Sequence, residues 1–358
     1  MRYLDLGTVK REISQAVYHA LAERMRPHDE ITLVTVSPDR PYVCVGYHQL
    51  ASREIDRAFC EAHQILVGRR FVGGGAVYLD HGQVFWHLLL PTPRGPVEDL
   101  YREILKAPIE TYQQMGINAQ FRPVNDIVVG PRKIGGTGAS TMGTTTVIVG
   151  SLLFDFNIEL MARVLKVPSE KFRDKMISSL SEYMTTINQE LGQPPERQMV
   201  VAKLVDNFSR LLNEPVHHDQ LTAEEEADIE QYALKLFDPE FVYRGERGLF
   251  HSGIKIRSGV FLHEGVFKAP GGLLRLIYRV NDGVFDDVNF SGDFFMEPWD
   301  SSAVEDFQGY LQGRLVNEQN VEEAARQLFE KVSIPGVVAS DIVECFRRAE
   351  STEQSSVR

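Results

Sequence analysis

Residues 69–80 read Arg69-Arg70-Phe71-Val72-Gly73-Gly74-Gly75-Ala76-Val77-Tyr78-Leu79-Asp80, and no other segment limits the fold as strongly. Three successive glycines lack Cβ atoms and reach positive φ without penalty, so the chain can pass very close to another group. The paired arginines ahead of them carry permanent charge and forked donors suited to phosphate or carboxylate. Taken alone, the segment is equally a basic strand closed by a glycine-rich turn.

A second segment narrows the choice. Asn125-Asp126 opens an apolar strand, Ile127 to Val129, followed by Gly130-Pro131 and by Lys133 among apolar and glycine neighbours. A lysine in such a hairpin supplies a compact point charge able to neutralise a phosphate or a developing oxyanion. A lysine that simply faces water is the ordinary alternative. The triplet Gly73–Gly75 is not followed by Gly-Lys-Ser/Thr, which excludes a P-loop, and Gly135-Gly136-Thr137-Gly138 lacks the G-x-G-x-x-G spacing of a dinucleotide fold. A nucleotide site here has to be of another kind.

With 358 residues, two domains are the natural expectation. Hydrophobic residues at 43% and charged residues at 25% suit a globular protein with a buried core. No apolar run approaches the roughly eighteen residues a membrane span needs, and Met1 to Lys10 lacks the apolar core of a signal peptide. The expectation is a cytoplasmic protein with no membrane partner. A net charge of −12 argues against nonspecific nucleic-acid binding, local cationic patches being confined to Arg69-Arg70 and Arg132-Lys133. Cys44, Cys60 and Cys345 are widely spaced and indicate neither a zinc site nor a disulfide framework. His81 and His87 have no third ligand nearby in sequence, and His217-His218 reads as a solvated polar loop.

Ile13, Val17, Leu21 and Met25 recur at helical spacing. Ile31 to Val36, Tyr42 to Tyr47, Ile65 to Arg70, Gln83 to Leu90 and Thr145 to Asn157 read as strands. Asp99 to Met115 is helical in pattern, with Pro108 kinking it or opening a new segment. From Ile158 to Phe237 the chain is helical, interrupted by a loop from Asn188 to Arg197; Thr222-Ala223-Glu224-Glu225 fits a capping box. The domain boundary is expected between Asp238 and Phe250, giving domains over 1–243 and 244–350 and a disordered tail over 351–358. β segments follow near Ile254 to Val260, Phe261 to Lys268 and Leu273 to Val280, with Asn281-Asp282-Gly283 as a tight hairpin turn. Two short helices, about Val321 to Val332 and Asp341 to Arg348, complete the pattern.

Together, Arg69 to Asp80 and Asn125 to Lys133 resemble the lipoate-protein ligase family. Gly46-Tyr47-His48-Gln49 upstream and Thr146 to Phe154 downstream agree in order. Phe267-Lys268-Ala269-Pro270-Gly271-Gly272 and Ser291-Gly292-Asp293-Phe294-Phe295 resemble the family's accessory C-terminal domain, so nearly the whole chain is covered. The chain departs from the family pattern at Val72, at Leu79 and at Tyr183, where an arginine near the adenylate is usual.

The resemblance implies an α+β fold: a biotin/lipoate ligase-like mixed β-sheet flanked by helices, with a smaller α+β C-terminal domain. It implies ATP-dependent activation of lipoate to lipoyl-AMP and transfer to a lysine of a lipoyl-carrier protein. Lys133 would contact both the acyl group and the phosphate, and Arg70 with the backbone of Gly75, Ala76, Val77 and Tyr78 would hold ATP. Gly73 and Gly74 would lie against the lipoyl group, with Phe85 and Val77 as linings of its apolar slot or, for Phe85, an ordinary core residue. Asn125 and Asp126 are further candidates, Asp126 as a ligand for the Mg2+ that accompanies ATP or as a turn residue capping its own loop. Acceptors implied are a 2-oxoacid dehydrogenase subunit, a glycine-cleavage carrier or a dedicated lipoate-binding protein. A lipoyl or octanoyl transferase on the same fold, a biotin-protein ligase, and a non-catalytic lipoate-binding relative are the alternatives. A transferase of that kind needs a cysteine after Lys133, and none occurs before Cys345.

Overall fold

The computed structural model describes residues 1–92, 97–123, 125–246 and 260–356. Its main sheet has eight strands in the order His217–His218, Arg2–Val9, Thr32–Pro38, Gln83–Leu90, Thr145–Leu153, Arg132–Met142, Asp126–Val129, Ala119–Arg122. Arg2–Val9 pairs in parallel with both neighbours, and the remaining pairs are antiparallel. This is the mixed sheet the resemblance implies.

Every residue of Gln83–Leu90 is buried, because helices cover both faces of the sheet. Side chains alternate across a strand: Val84, Trp86, Leu88 and Leu90 enter one core with Tyr112 and Phe208, from helices Lys106–Gln113 and Arg197–Leu212. On the other face, His87 meets Tyr18 of helix Arg11–Arg24 edge-on at 4.9 Å. Gly150 stands opposite Trp86, and a Cβ there would lie 2.3 Å from the indole ring, so the strand needs glycine at that register.

Most elements lie where periodicity puts them, and the exceptions have local reasons. Strand Arg2–Val9 escapes the pattern because a register shift between Asp5 and Thr8, with Gly7 at φ +57°, breaks its alternation. The helical stretch around Pro108 is two helices, Val97–Ile104 and Lys106–Gln113. Pro108 sits in the first turn of the second, where a missing N–H is harmless. The strand expected to reach Asn157 stops at Leu153, and His217–His218, though exposed, pairs with the sheet edge rather than lying in a loop. The capping box forms as expected, Glu225 N–H donating to Thr222 Oγ1 at 3.2 Å and Thr222 N–H to Glu225 Oε2 at 2.9 Å.

Strands Val260–Ala269, Gly272–Asn281 and Val284–Gly292 form an antiparallel meander packed on helices Ala303–Leu311, Glu318–Lys331 and Ala339–Ser356. Its second turn has Asp282 at φ +50° and Gly283 at φ +77°, the left-handed pair of a tight hairpin. The strand expected to start at Ile254 lies outside the described residues before Val260. Helix Ala303–Leu311 adds to the two helices expected here, and Ala339–Ser356 extends into the segment expected to be a disordered tail. Among the described residues no helix is long and apolar enough to cross a membrane.

The chain divides into two compact units. One comprises Met1–Cys44, Ile55–Gly68 and Val77–Asp238; the other comprises Val45–Glu54, Arg69–Ala76 and Pro239–Arg358. The glycine triplet and Gly46-Tyr47-His48-Gln49 therefore group with the C-terminal residues, although the sequence places them in the first domain.

Candidate active site

Lys133 lies on Arg132–Met142, hydrogen-bonded to Asp126–Val129 as the hairpin reading expects. The register slips between Ile127 and Val128, so Asp126 faces Gly136 while Lys133 faces Val128. The lysine stem folds back over Gly136, and its Nζ lies 2.7 Å from Asp126 Oδ1. The other oxygen, Oδ2, accepts from Arg122 at 2.8 Å. The same Arg122 nitrogen donates to the Tyr183 hydroxyl at 2.5 Å, and its guanidinium lies 5.0 Å from the centre of the Tyr183 ring. Asp126 raises the Arg122 guanidinium further above its ordinary range, with Tyr183 adding to the effect.

The chain following Tyr183 is tied to Lys133 itself: Thr185 N–H donates to the Lys133 carbonyl at 2.9 Å. Arg132, next in sequence, pairs with Glu190 at 2.7 Å, and Glu190 also accepts from the Thr185 hydroxyl at 2.5 Å. Asn125 closes the hairpin mouth by donating to the Thr137 carbonyl, with the Thr137 hydroxyl donating back to the Asn125 carbonyl at 2.7 Å. Lys133, Asp126 and Asn125 are thus brought together. Arg122, absent from the sequence reading, joins them because Arg122 and Asp126 are register partners on adjacent strands. Its only sequence signal is a basic residue four positions before an aspartate.

In the second unit the two arginines of the triplet segment have different environments. Arg69 is fully buried and donates to the backbone carbonyls of Gly46, Tyr47, Gln49, Phe241 and Val242. It clamps backbone, which corrects the reading of both arginines as a local cationic patch. Arg70, also buried, uses Nη2 to hold the Gly73 and Gly75 carbonyls at 2.7 and 2.8 Å, shaping the triplet. The Gly74 N–H donates to the Phe294 carbonyl at 3.3 Å, and His48 stacks on Phe294 at 4.7 Å. Burial, reinforced by Arg244 and Arg69, lowers the His48 pKa to about 3.

A Cβ on Gly46 would lie 1.9 Å from the Gly74 carbonyl oxygen, and one on Gly73 would lie 2.4 Å from that of Phe294. Three segments that the sequence shows separately, Gly46–Gln49, Gly73–Gly75 and Ser291–Phe295, are one packed constellation. Ala76 belongs to this unit, whereas Val77 and Tyr78 lie in the other, on strand Val77–Leu79 beside Tyr42–Val45. Tyr78 donates to Asp80 at 2.8 Å, and its pKa is raised first by burial and then by that carboxylate. Phe85 is a buried strand residue.

Both Asp126 oxygens are engaged by cations, and among the described residues no group of three His, Cys, Asp or Glu could hold a metal ion. These residues do not fit a protein-bound Mg2+. All three cysteines are buried. Burial pushes the Cys60 thiol up to about 11 and that of Cys345 to about 12. A cleft of about 500 Å³ lined by Asp80, His81, Asp155, Glu159, Asn188 and Arg197 contains none of the sequence-predicted site residues.

The proteins this chain resembles put it in an acyl-activating or acyl-transferring class of enzyme. Residues 12–209 match the lipoyl protein ligase A/B catalytic domain family, and the chain belongs to that family. It is similar to the solved bipartite lipoate protein ligase of the archaeal lipoylation system of Thermoplasma acidophilum, described with its E2 lipoyl domain. That likeness is 26% in sequence, with a TM-score of 0.63, over 68% of this chain and 95% of the other. An octanoyltransferase, LipM of Kyrpidia tusciae, is 26% identical over 68% of this chain and 98% of its own length. Plasmodium falciparum LipL1, solved with lipoate, shares the fold over 94% of this chain and 96% of its own, with a TM-score of 0.66 at 16% identity.

Proposed function

We propose that this protein is an ATP-dependent lipoate-protein ligase. The observation that carries the reading is the Lys133 ammonium, held on Asp126 in a half-buried hairpin of a chain whose three cysteines are all buried. A carboxylate is a poor acyl donor until its oxygen is converted to a better leaving group. A lipoate oxygen attacks the α-phosphorus of ATP, the bond to the β-phosphate oxygen breaks, and pyrophosphate leaves. Two anions meeting at about 4 Å repel by roughly 4 kcal/mol at the effective dielectric of a protein surface. Lys133 offsets that repulsion by moving its ammonium from Asp126 to the reacting anions. An acceptor lysine amine then attacks the acyl carbon, the bond to AMP breaks, and the amine proton passes to solvent.

On the same reading, Arg70 and the backbone of Gly75, Ala76, Val77 and Tyr78 contact ATP, and Gly73 and Gly74 contact the lipoyl group. Mg2+ enters with the phosphates. The acceptor class is a lipoyl domain, as in the Thermoplasma system. Octanoyl transfer is the second reading, favoured by the LipM likeness and disfavoured by three buried cysteines, two with raised thiol pKa values.

The test is pyrophosphate release from lipoate, ATP and Mg2+, followed by lipoylation of an added lipoyl domain. No release and no lipoate binding rejects the ligase; ATP-independent transfer from an octanoylated carrier favours the transferase. Lys133→Ala is expected to abolish release while leaving the unfolding temperature nearly unchanged, since exposed and half-exposed ion pairs contribute about 1 kcal/mol or less.

A further inference from the structure

Asp126 faces two cations. Lys133 takes Oδ1 at 2.7 Å and Arg122 takes Oδ2 at 2.8 Å, with the carboxylate side chain only 19% exposed. The two cations are held differently. Arg122 is fixed at three points: Asp126, the Tyr183 hydroxyl, and the Pro131 carbonyl at 3.3 Å in the turn just before Lys133. Lys133 is a flexible four-carbon stem whose ammonium lies over Gly136 and is paired with Asp126 alone among the described residues. The lysine is the less tethered of the two.

We propose that Arg122 is a positioning residue for Lys133: it keeps Asp126 paired, so that the lysine ammonium can leave the carboxylate for a reacting anion. A half-buried carboxylate stripped of its only cation would hold that cation back, because an unpaired buried charge is costly. With Arg122 on Oδ2, the carboxylate retains a charge-assisted hydrogen bond throughout. Tyr183 takes the same Arg122 nitrogen that donates to Asp126, and its segment is anchored on the Lys133 backbone through Thr185. The three side chains therefore keep their spacing while the ammonium moves. The inference rests on the ligase reading for its kinetic consequence, but the linkage of Arg122 to Lys133 through Asp126 can be measured without turnover.

The test is a double-mutant cycle of Arg122→Ala and Asp126→Asn on the full chain, with two readouts. One is pyrophosphate release from lipoate, ATP and Mg2+; the other is modification of Lys133 by limiting acetic anhydride, quantified by mass spectrometry. In the native background, Arg122→Ala is expected to lower both, release by about tenfold; in the Asp126→Asn background it is expected to change neither by more than about twofold. Arg122→Lys, which restores a cation without the fork, should recover part of both, and Tyr183→Phe should give a smaller loss in the same direction. Unchanged Lys133 labelling in Arg122→Ala, or the same loss in both backgrounds, overturns the proposal. A native protein that releases no pyrophosphate rejects the ligase reading, and the labelling still decides the Arg122 relation.

Discussion

A Cβ built on Gly136 would lie 2.9 Å from Nζ of Lys133 and 3.0 Å from its Cε. The glycine is therefore what lets the lysine stem fold across its own strand to reach Asp126. An added methyl would meet the flexible end of a side chain, which yields, rather than backbone, which does not. Gly136→Ala is expected to displace the lysine stem, so that the ammonium is misplaced for the reacting anions as well as for Asp126 and pyrophosphate release slows by about tenfold, equivalent to about 1.4 kcal/mol in the barrier. A denaturation midpoint close to that of the native protein would accompany it. Full activity in this variant would show that the path of the lysine stem over Gly136 does not matter to the reaction.

Arg69 and Arg70 are adjacent yet unequal. Arg69→Met removes the donors for the carbonyls of Gly46, Tyr47, Gln49, Phe241 and Val242 while leaving the aliphatic volume. Buried carbonyls left without partners cost about 1–3 kcal/mol each, so a loss of at least about 3 kcal/mol is expected in urea unfolding. Arg69→Lys should not rescue it, because a single ammonium cannot span a fork of acceptors. A loss below about 1 kcal/mol for both variants, the scale of a single ordinary hydrogen bond, would remove the clamp.

The glycines of the triplet should separate by substitution. Gly73→Ala places a Cβ 2.4 Å from the Phe294 carbonyl oxygen and 2.9 Å from the Phe295 Cα, and overpacking against backbone costs about 1–3 kcal/mol. Gly75→Ala meets only Asp293 at 3.9 Å, an ordinary contact. The expected result is a lowered unfolding temperature for Gly73→Ala and a native one for Gly75→Ala. If Gly75→Ala also raises the KM for ATP, close backbone approach to the nucleotide is supported; unchanged kinetics would reject it.

Two buried histidines set a pH dependence of stability. Burial lowers both His48, with Arg244 and Arg69 adding to the effect, and His87 to about 3. Unfolded, each titrates near 6.5. Between those values the unfolded chain binds the extra protons, so stability is full above about pH 6.5 and declines as pH falls toward 3. The slope is up to about 1.4 kcal/mol per pH unit for each histidine. His87→Gln, in the first unit, and His48→Gln, in the second, should each flatten the slope when midpoints are followed from about pH 7 to about pH 4, within the window where the unfolded histidines take up protons. A pH-independent midpoint in the native protein would contradict both assignments.

Much of this molecule is legible along the chain. A nearly continuous apolar run closed by Pro91 marks Gln83–Leu90 residue for residue, and Asn281-Asp282-Gly283 specifies its own turn. The residues around Lys133 and the glycine triplet carry the family resemblance. These are local properties, set by side-chain period, backbone freedom and turn chemistry. Strand Arg2–Val9, whose bulge hides its period, and helix Ala303–Leu311 were not read from the sequence.

What the sequence by itself determined is that a lysine hairpin and a glycine-rich, arginine-led segment exist and belong with the lipoyl protein ligase A/B family. Residue chemistry alone did not distinguish Arg69 from Arg70, both permanent cations with forked donors, and only the family resemblance singled out Arg70. Only the tertiary structure brought the carbonyls of Phe241 and Val242 to one of them. Likewise, nothing local links Arg122 or Tyr183 to Lys133. Their union through Asp126 depends on strand register and on a helix end arriving from far downstream, contacts whose partners are separated in sequence and leave no periodic trace.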